Sequence, residues 1–266
     1  MNTPPPLPKP LPTATPEWRR ALGGIWRLTY RRFLAPQQLG ILAGLLGLLA
    51  LLALSGIRNG NAEHFAQWSV KLYLTFVAPV FAFLSAAGLI QDDMKPATVD
   101  YVLTRPVRRH AFVLHRYLTH TACLQVQCLL ALGVLVAVGV FRHVPNLAST
   151  VPSLLLAQVL AVMAFSALGF AFGAFSSRYQ ILGLFYAGVV EVGIGNIPTQ
   201  LNRLSMTHHV RSIASNILEL RQNSLASFDR LPASIIALLV FSLVLVAAAA
   251  ALFSLRETAG TRAKDA

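Results

Sequence analysis

An all-α, polytopic membrane protein, with six transmembrane helices preceded by an amphipathic interfacial elbow helix, is the fold class this sequence predicts. Three observations predict it. First, 55% of the 266 residues are hydrophobic and only 12% are charged, against roughly 25% charged in soluble domains. Second, apolar runs near 39–57, 73–90, 118–141, 153–175, 181–197 and 233–255 each approach the ~20 helical residues that cross a hydrocarbon core of ~30 Å. Third, those runs hold a single Asp, Glu, Lys or Arg, Glu191. A charge at mid-membrane costs about 2.5–3.5 kcal/mol even on lenient scales, so its exclusion is the pattern of lipid-facing helices. The runs do not alternate as β-barrel strands would, and helices are the other way to satisfy every backbone group in lipid.

The chain divides as follows. Residues 1–16 hold seven prolines and read as a disordered cytoplasmic tail. Residues 17–34 read as the elbow helix. Thr15 is positioned to cap it and Pro16 to open it. Trp18, Leu22, Ile25, Trp26, Thr29 and Phe33 share one face, and Arg20, Arg27 and Arg31 the other. Trp18, Trp26, Arg20, Arg27 and Arg31 are therefore the expected membrane-interface anchors. Pro36 separates this helix from span one. Residues 35–257 form the six-span domain, and 258–266 a second cytoplasmic tail. In span two, Pro79 predicts a kink whose freed carbonyl needs a partner. Gly169 and Gly173 in span four, and Gly40, Gly44 and Gly47 in span one, allow close helix packing, within the subunit or between subunits. The loop 198–232 carries Val210, Ile213, Ala214, Ile217 and Leu220 at near-helical spacing, which predicts a short amphipathic or re-entrant helix over the outer end of the bundle.

The net charge is +12, and its placement sets orientation. Fifteen Lys and Arg fall in the N-terminal segment, the loops after spans two and four, and the C-terminus, whereas seven fall on the opposite side. The positive-inside rule puts both termini in the cytoplasm, as an even span count requires. These cations flank spans, so membrane lipid rather than nucleic acid is their expected partner. Cys123 and Cys128, five apart on one helix, read as small apolar residues and leave the redox compartment open.

Catalytic signatures are missing. There is no G-x-x-x-x-G-K-[ST] loop, no H-E-x-x-H and no G-x-S-x-G, so the chain is not expected to be an enzyme by itself. Met206, His208 and His209 could be soft metal ligands, but a loop feature or helix start explains them more simply, and no metal site is assigned. Glu191 reads either as a point on a translocation path or outer gate, or as a carboxyl hydrogen-bonded to its neighbours.

The segment from Asp92 to Arg109 is the remaining feature. Asp92 and Asp93 stand just before Pro96, which can open a short helix. Pro106 ends that helix, and a basic helix leads into span three. The segment is either a polar loop whose arginines satisfy topology or a lever lying across the span ends. Asp93, Thr98, Val102-Leu103 and Thr104-Arg105-Pro106-Val107-Arg108-Arg109 resemble the signature of ABC-2 type ABC transporter permeases, with Asp93 where Glu is usual and Ala97 where Gly is usual. The order of elbow helix, six spans and a long loop before the last span is similar to that family as well.

The resemblance implies a transmembrane permease subunit of an exporter in the bacterial inner membrane. It pairs with a second permease subunit, expected as a homodimer, and binds separate ABC ATPase subunits. ATP and Mg would sit on that ATPase, and this chain would bind no cofactor. Asp92, Asp93, Thr98, Asp100, Tyr101, Arg105, Arg108, Arg109 and Arg178 are the expected coupling residues. The competing class is a membrane-embedded enzyme or assembly factor without ATP coupling. A neighbouring gene for a P-loop ATPase would separate the two. The sequence does not name the substrate.

Overall fold

The computed structural model describes residues 17–57, 60–95, 109–197, 200–218 and 229–262. The proline-rich tail, the segment 96–108, the segment 219–228 and the last four residues lie outside the described residues, as do the expected coupling positions Thr98, Asp100, Tyr101, Arg105 and Arg108. No strand occurs among the described residues.

Helix α1 (Glu17–Phe33) is the expected elbow. It turns sharply into α2 (Pro36–Gly56), which has proline at its first turn, where the missing N–H is no loss. After a short connection, Asn61 accepts hydrogen bonds from the Glu63 and His64 amides and so caps α3 (Ala62–Asp93). Residues Ser69–Val77 of α3 are π-helical, directly before Pro79. The wider turn is how the chain absorbs a proline that cannot donate to the helix ladder.

Helix α4 (Arg109–Phe141) runs back. It ends where the amides of His143 and Val144 bond to the carbonyls of Val140 and Gly139, with His143 at φ 54°. This Schellman turn reverses the chain within a few residues into α5 (Leu147–Phe175). Helix α6 begins as an α-helix at Tyr179–Tyr186, becomes π-helical over Ala187–Gly193 and ends in a 3₁₀ turn. Helix α7 (Met206–Leu218) follows, then α8 (Leu231–Arg262).

Five described helices are long and apolar enough to cross a membrane: Pro36–Gly56, Ala62–Asp93, His110–Phe141, Leu147–Phe175 and Leu231–Leu255. The run expected as a sixth span over 181–197 is α6, which changes helix type along its length and is not among these five. Its eight α-helical, seven π-helical and three 3₁₀ residues rise at most about 28 Å, close to a ~30 Å core. Hydropathy alone could not show the change of helix type, because it reads apolar character and not backbone geometry.

Helix α5 is the centre of the bundle, with 78% of its apolar window buried, against 11% for α2. It lies closest to α3. A Cβ built on Gly169 would stand 2.5 Å from the Phe83 carbonyl oxygen, and one on Gly173 would stand 2.7 Å from that of Ala87. These two glycines therefore pack within the subunit. Gly40, Gly44 and Gly47 on α2 have open space where a Cβ would go. The core has two parts. One, around Leu49, Tyr73, Leu124, Leu154 and Ile213, fills the end far from the elbow. The other, around Ile90, Phe112, Tyr117, Phe170 and Phe253, fills the elbow end, with Ile25 of α1 packed on it. The elbow and the later turns of α8 thus share one end of the molecule.

Replacing Gly169 by Ala forces α3 and α5 apart, since the obstacle is backbone. We expect a loss of about 1–3 kcal/mol, seen as a lower melting temperature of the solubilised chain. Gly44→Ala should leave the isolated subunit's melting curve unchanged.

Candidate functional site

At the elbow end, α3 closes with Gln91, Asp92 and Asp93, and each does something different. The Gln91 amide donates to the Gly173 carbonyl and to that of Ser176 at 2.9 Å. These are free carbonyls at the end of α5, so Gln91 caps a neighbouring helix. Asp92 is partly exposed and bridges Arg32 at 2.5 Å and Lys95 at 2.7 Å. Asp93 turns inward and is 5% exposed. Its two oxygens receive Nε and Nη2 of Arg116 at 2.6 and 2.9 Å. Nη1 of the same arginine donates to Thr29 Oγ1 at 2.6 Å, and that hydroxyl donates to the Ile25 carbonyl.

One guanidinium therefore ties α4 to α3 and to the elbow. A bidentate Arg–carboxylate pair fixes geometry in a way a lysine could not. His120 lies one turn further along α4, with its ring 5.3 Å from that of Phe33 and 6.0 Å from that of Phe170.

The sequence placed both acids at a partner surface. Asp92 is available there, whereas the Asp93 carboxylate is consumed inside, because a buried charge is tolerated only when paired. Arg116 was counted in the sequence only as a positive residue. Its signal was its position, two residues before an apolar run, where an arginine needs a carboxylate. Arg178, at the turn between α5 and α6, is exposed on this same end. The Arg109 side chain, like those of Trp18 and Arg20, lies outside the described residues. Trp26 is 46% exposed, and Arg27 and Arg31 are exposed beside it, while Thr29 is wholly buried. Ile25, Thr29 and Phe33 thus turn toward the bundle and Arg27 and Arg31 away from it, as the periodicity predicts, whereas Trp26, expected beside Thr29, is exposed with the arginines. Cys123 and Cys128 are both free.

At the far end, Glu191 organises a second centre. It sits in the π-helical part of α6 and is 7% exposed. Its carboxylate accepts from Tyr186 Oη at 2.7 Å, Ser205 Oγ at 2.6 Å and Thr207 Oγ1 at 2.6 Å. It also accepts from the amides of Met206 at 3.2 Å and Thr207 at 2.9 Å. Those amides open α7, and Ser205 Oγ takes the next free one, from His208, at 3.1 Å. A helix start leaves such donors unpaired and positive, and Glu191 neutralises them. A Cβ at Gly195 would stand 2.7 Å from Ser205 Oγ, so the glycine makes room for the cap.

Helix α7 is accordingly buried from Met206 to Val210 and again at Ser212–Ser215, which makes it the helix expected in the 198–232 loop, inserted between α5 and α8. His208 and His209 follow the cap. Asp229 lies 3.5 Å from His208 Nε2 and 3.8 Å from His209 Nδ1, and pairs with Arg203 at 2.9 Å. Burial holds the His208 imidazole below its ordinary pKa, with His209 and Arg211 pushing the same way against Asp229. No cluster suited to a metal ion occurs among the described residues.

Further in, Tyr73 Oη lies 2.8 Å from the Cys128 carbonyl and 2.7 Å from Gln158 Oε1, a polar link across α3, α4 and α5 that spacing along the chain could not reveal.

Two variants test these centres. Arg116→Ala strands a buried carboxylate and should cost about 3–5 kcal/mol, and adding Asp93→Asn should recover much of it in thermal unfolding of the solubilised chain. Glu191→Ala leaves several buried donors without an acceptor and should cost about 2 kcal/mol or more. Faster protease cleavage between α6 and α7 is the readout.

The sequence finds no match among curated proteins. The profile of the family described as ABC-2 family transporter protein matches residues 36–192. That stretch covers more than half of the chain, runs from the first turn of α2 to the π-helical turn holding Glu191, and includes the whole Asp92–Arg109 motif. With its bundle of membrane-crossing helices, the chain belongs to the ABC-2 family of transporter membrane proteins.

Proposed function

We propose that this multi-pass membrane protein is the permease subunit of an ABC exporter. It is driven by ATP hydrolysed, with Mg, on separate nucleotide-binding subunits, and both of its termini are cytoplasmic. The observation that carries the reading is the clamp at the elbow end. The segment 96–108 leaves α3 just past Asp93 and re-enters the bundle in α4 just before Arg116. Asp93, Arg116 and Thr29 join those two roots to the elbow. A push on the segment would therefore move α1, α3 and α4 together rather than bend one loop. Asp92, Thr98, Asp100, Tyr101, Arg105, Arg108, Arg109 and the exposed Arg178 are the residues proposed to meet the ATPase. Asp93 acts behind them as a positioning residue.

A second copy of the chain is the proposed membrane partner. Helix α2 supports it: only Leu49 and Ala53 of its 21 residues are buried, and its Gly40, Gly44 and Gly47 meet nothing in their own subunit. The Glu191 centre holds α6 and α7 together at the far end, and is proposed to brace the outer gate rather than to contact substrate.

The test is the paired reversal Arg105→Glu and Arg108→Glu in the complex with its ATPase. We expect the ATPase to be lost on co-purification, with the permease melting curve unchanged. Retention of the ATPase with wild-type stimulated hydrolysis refutes the coupling role. Asp93 is unsuitable for such a reversal, because a lysine there faces Arg116 and unfolds the clamp.

A further inference from the structure

Beside α7, the opening turns of α8 border a cleft of about 770 Å³, within the range of small-molecule sites. Its rim is polar, with Arg203, Asp229 and Arg230. Its wall is apolar, from Ile236, Val240 and Phe241, and Ala233 and Ala237 are small enough to leave the depth between them. Charge on the rim is unbalanced. The Asp229 carboxylate is already engaged by Arg203 and faced by both histidines, and no ion pair joins Arg230 to another described residue. Two arginines thus face one carboxylate, which suits one further anion.

The wall belongs to a membrane-crossing helix, with Ile236 60% and Val240 52% exposed. Lipid chains are the medium such a surface meets. These arginines also stand at the end where the charge distribution of the other loops disfavours cations, so topology does not explain them.

We infer that the cleft binds an anionic phospholipid of the far leaflet, with its phosphate on Arg230 and Arg203 and one acyl chain along Ile236 and Val240. The occupant is a lipid rather than a free phosphate because the apolar wall continues directly from the cationic rim. The inference rests on the cleft's own chemistry and stands whether or not the chain couples to an ATPase.

The experiment is native mass spectrometry of the full chain in detergent, titrated with phosphatidylglycerol or phosphatidylcholine of identical acyl chains. The first phosphatidylglycerol should bind about fivefold more tightly than phosphatidylcholine, the effect of roughly one arginine. Arg230→Ala should remove that preference. Ala233→Trp, which fills the cleft without changing charge, should weaken both lipids. Both positions are exposed, so the fold should tolerate the changes, and Arg27→Ala at the opposite end should behave as wild type. Equal binding of the two lipids overturns the inference, as does an Arg230→Ala variant that keeps the preference. Undiminished binding to Ala233→Trp, or displacement of the lipid by excess inorganic phosphate, overturns it equally.

Discussion

The pairing of Asp93 with Arg116 is the constraint on which the elbow end depends. Two charges removed from water at the root of a membrane bundle are costly singly and tolerable only as a pair with further hydrogen bonds. The pair meets that condition by recruiting Thr29 from another helix. The position of α1 is thereby fixed against α3 and α4 by hydrogen-bond geometry, where apolar contact alone would allow sliding. Arg32 and Asp92 repeat the link at the surface, where solvent weakens it.

The far end uses the same principle with a different counter-charge. There the positive partner of a buried carboxylate is the start of a helix. Glu191 collects two backbone amides and three hydroxyls, so α7 can be inserted among apolar helices without leaving its first turn unsatisfied. Glu191 itself is carried on the π-helical turn of α6. A wider turn at this point aims the carboxylate at α7. Between the two ends, α5 provides the packing surface. Its glycines bring α3 to backbone contact, which passes displacement between the ends with little slack.

Much of this was legible in the sequence. The elbow showed in the opposed faces of Thr29 and Arg27, the turn at Pro36 in proline's tolerance of a first helical position, and the helix of the 198–232 loop in the spacing of Val210, Ile213 and Ala214. The family resemblance of the Asp92–Arg109 segment agrees with the profile match. The pairing of each acid was not legible. Asp92 and Asp93 are neighbours with the same chemistry, and helix rotation alone sends one to solvent and the other to Arg116, 23 residues away in sequence. Glu191 carried a signal, as the lone charge in the apolar runs. Its partners at 205–207 sit in a loop whose fold depends on them, so periodicity could not announce the cap.

What the sequence determined by itself is the solvent and the rods. Exclusion of charge over long runs that do not alternate as barrel strands would leaves helices in lipid as the structure that satisfies the backbone, and that argument needs no tertiary contact. What the tertiary structure decided is which apolar run changes helix type along its length, which glycines pack inward, and where each buried charge finds its opposite. Those outcomes depend on side chains from distant segments meeting at distances near 3 Å, and local spacing along a chain does not encode which distant segments meet.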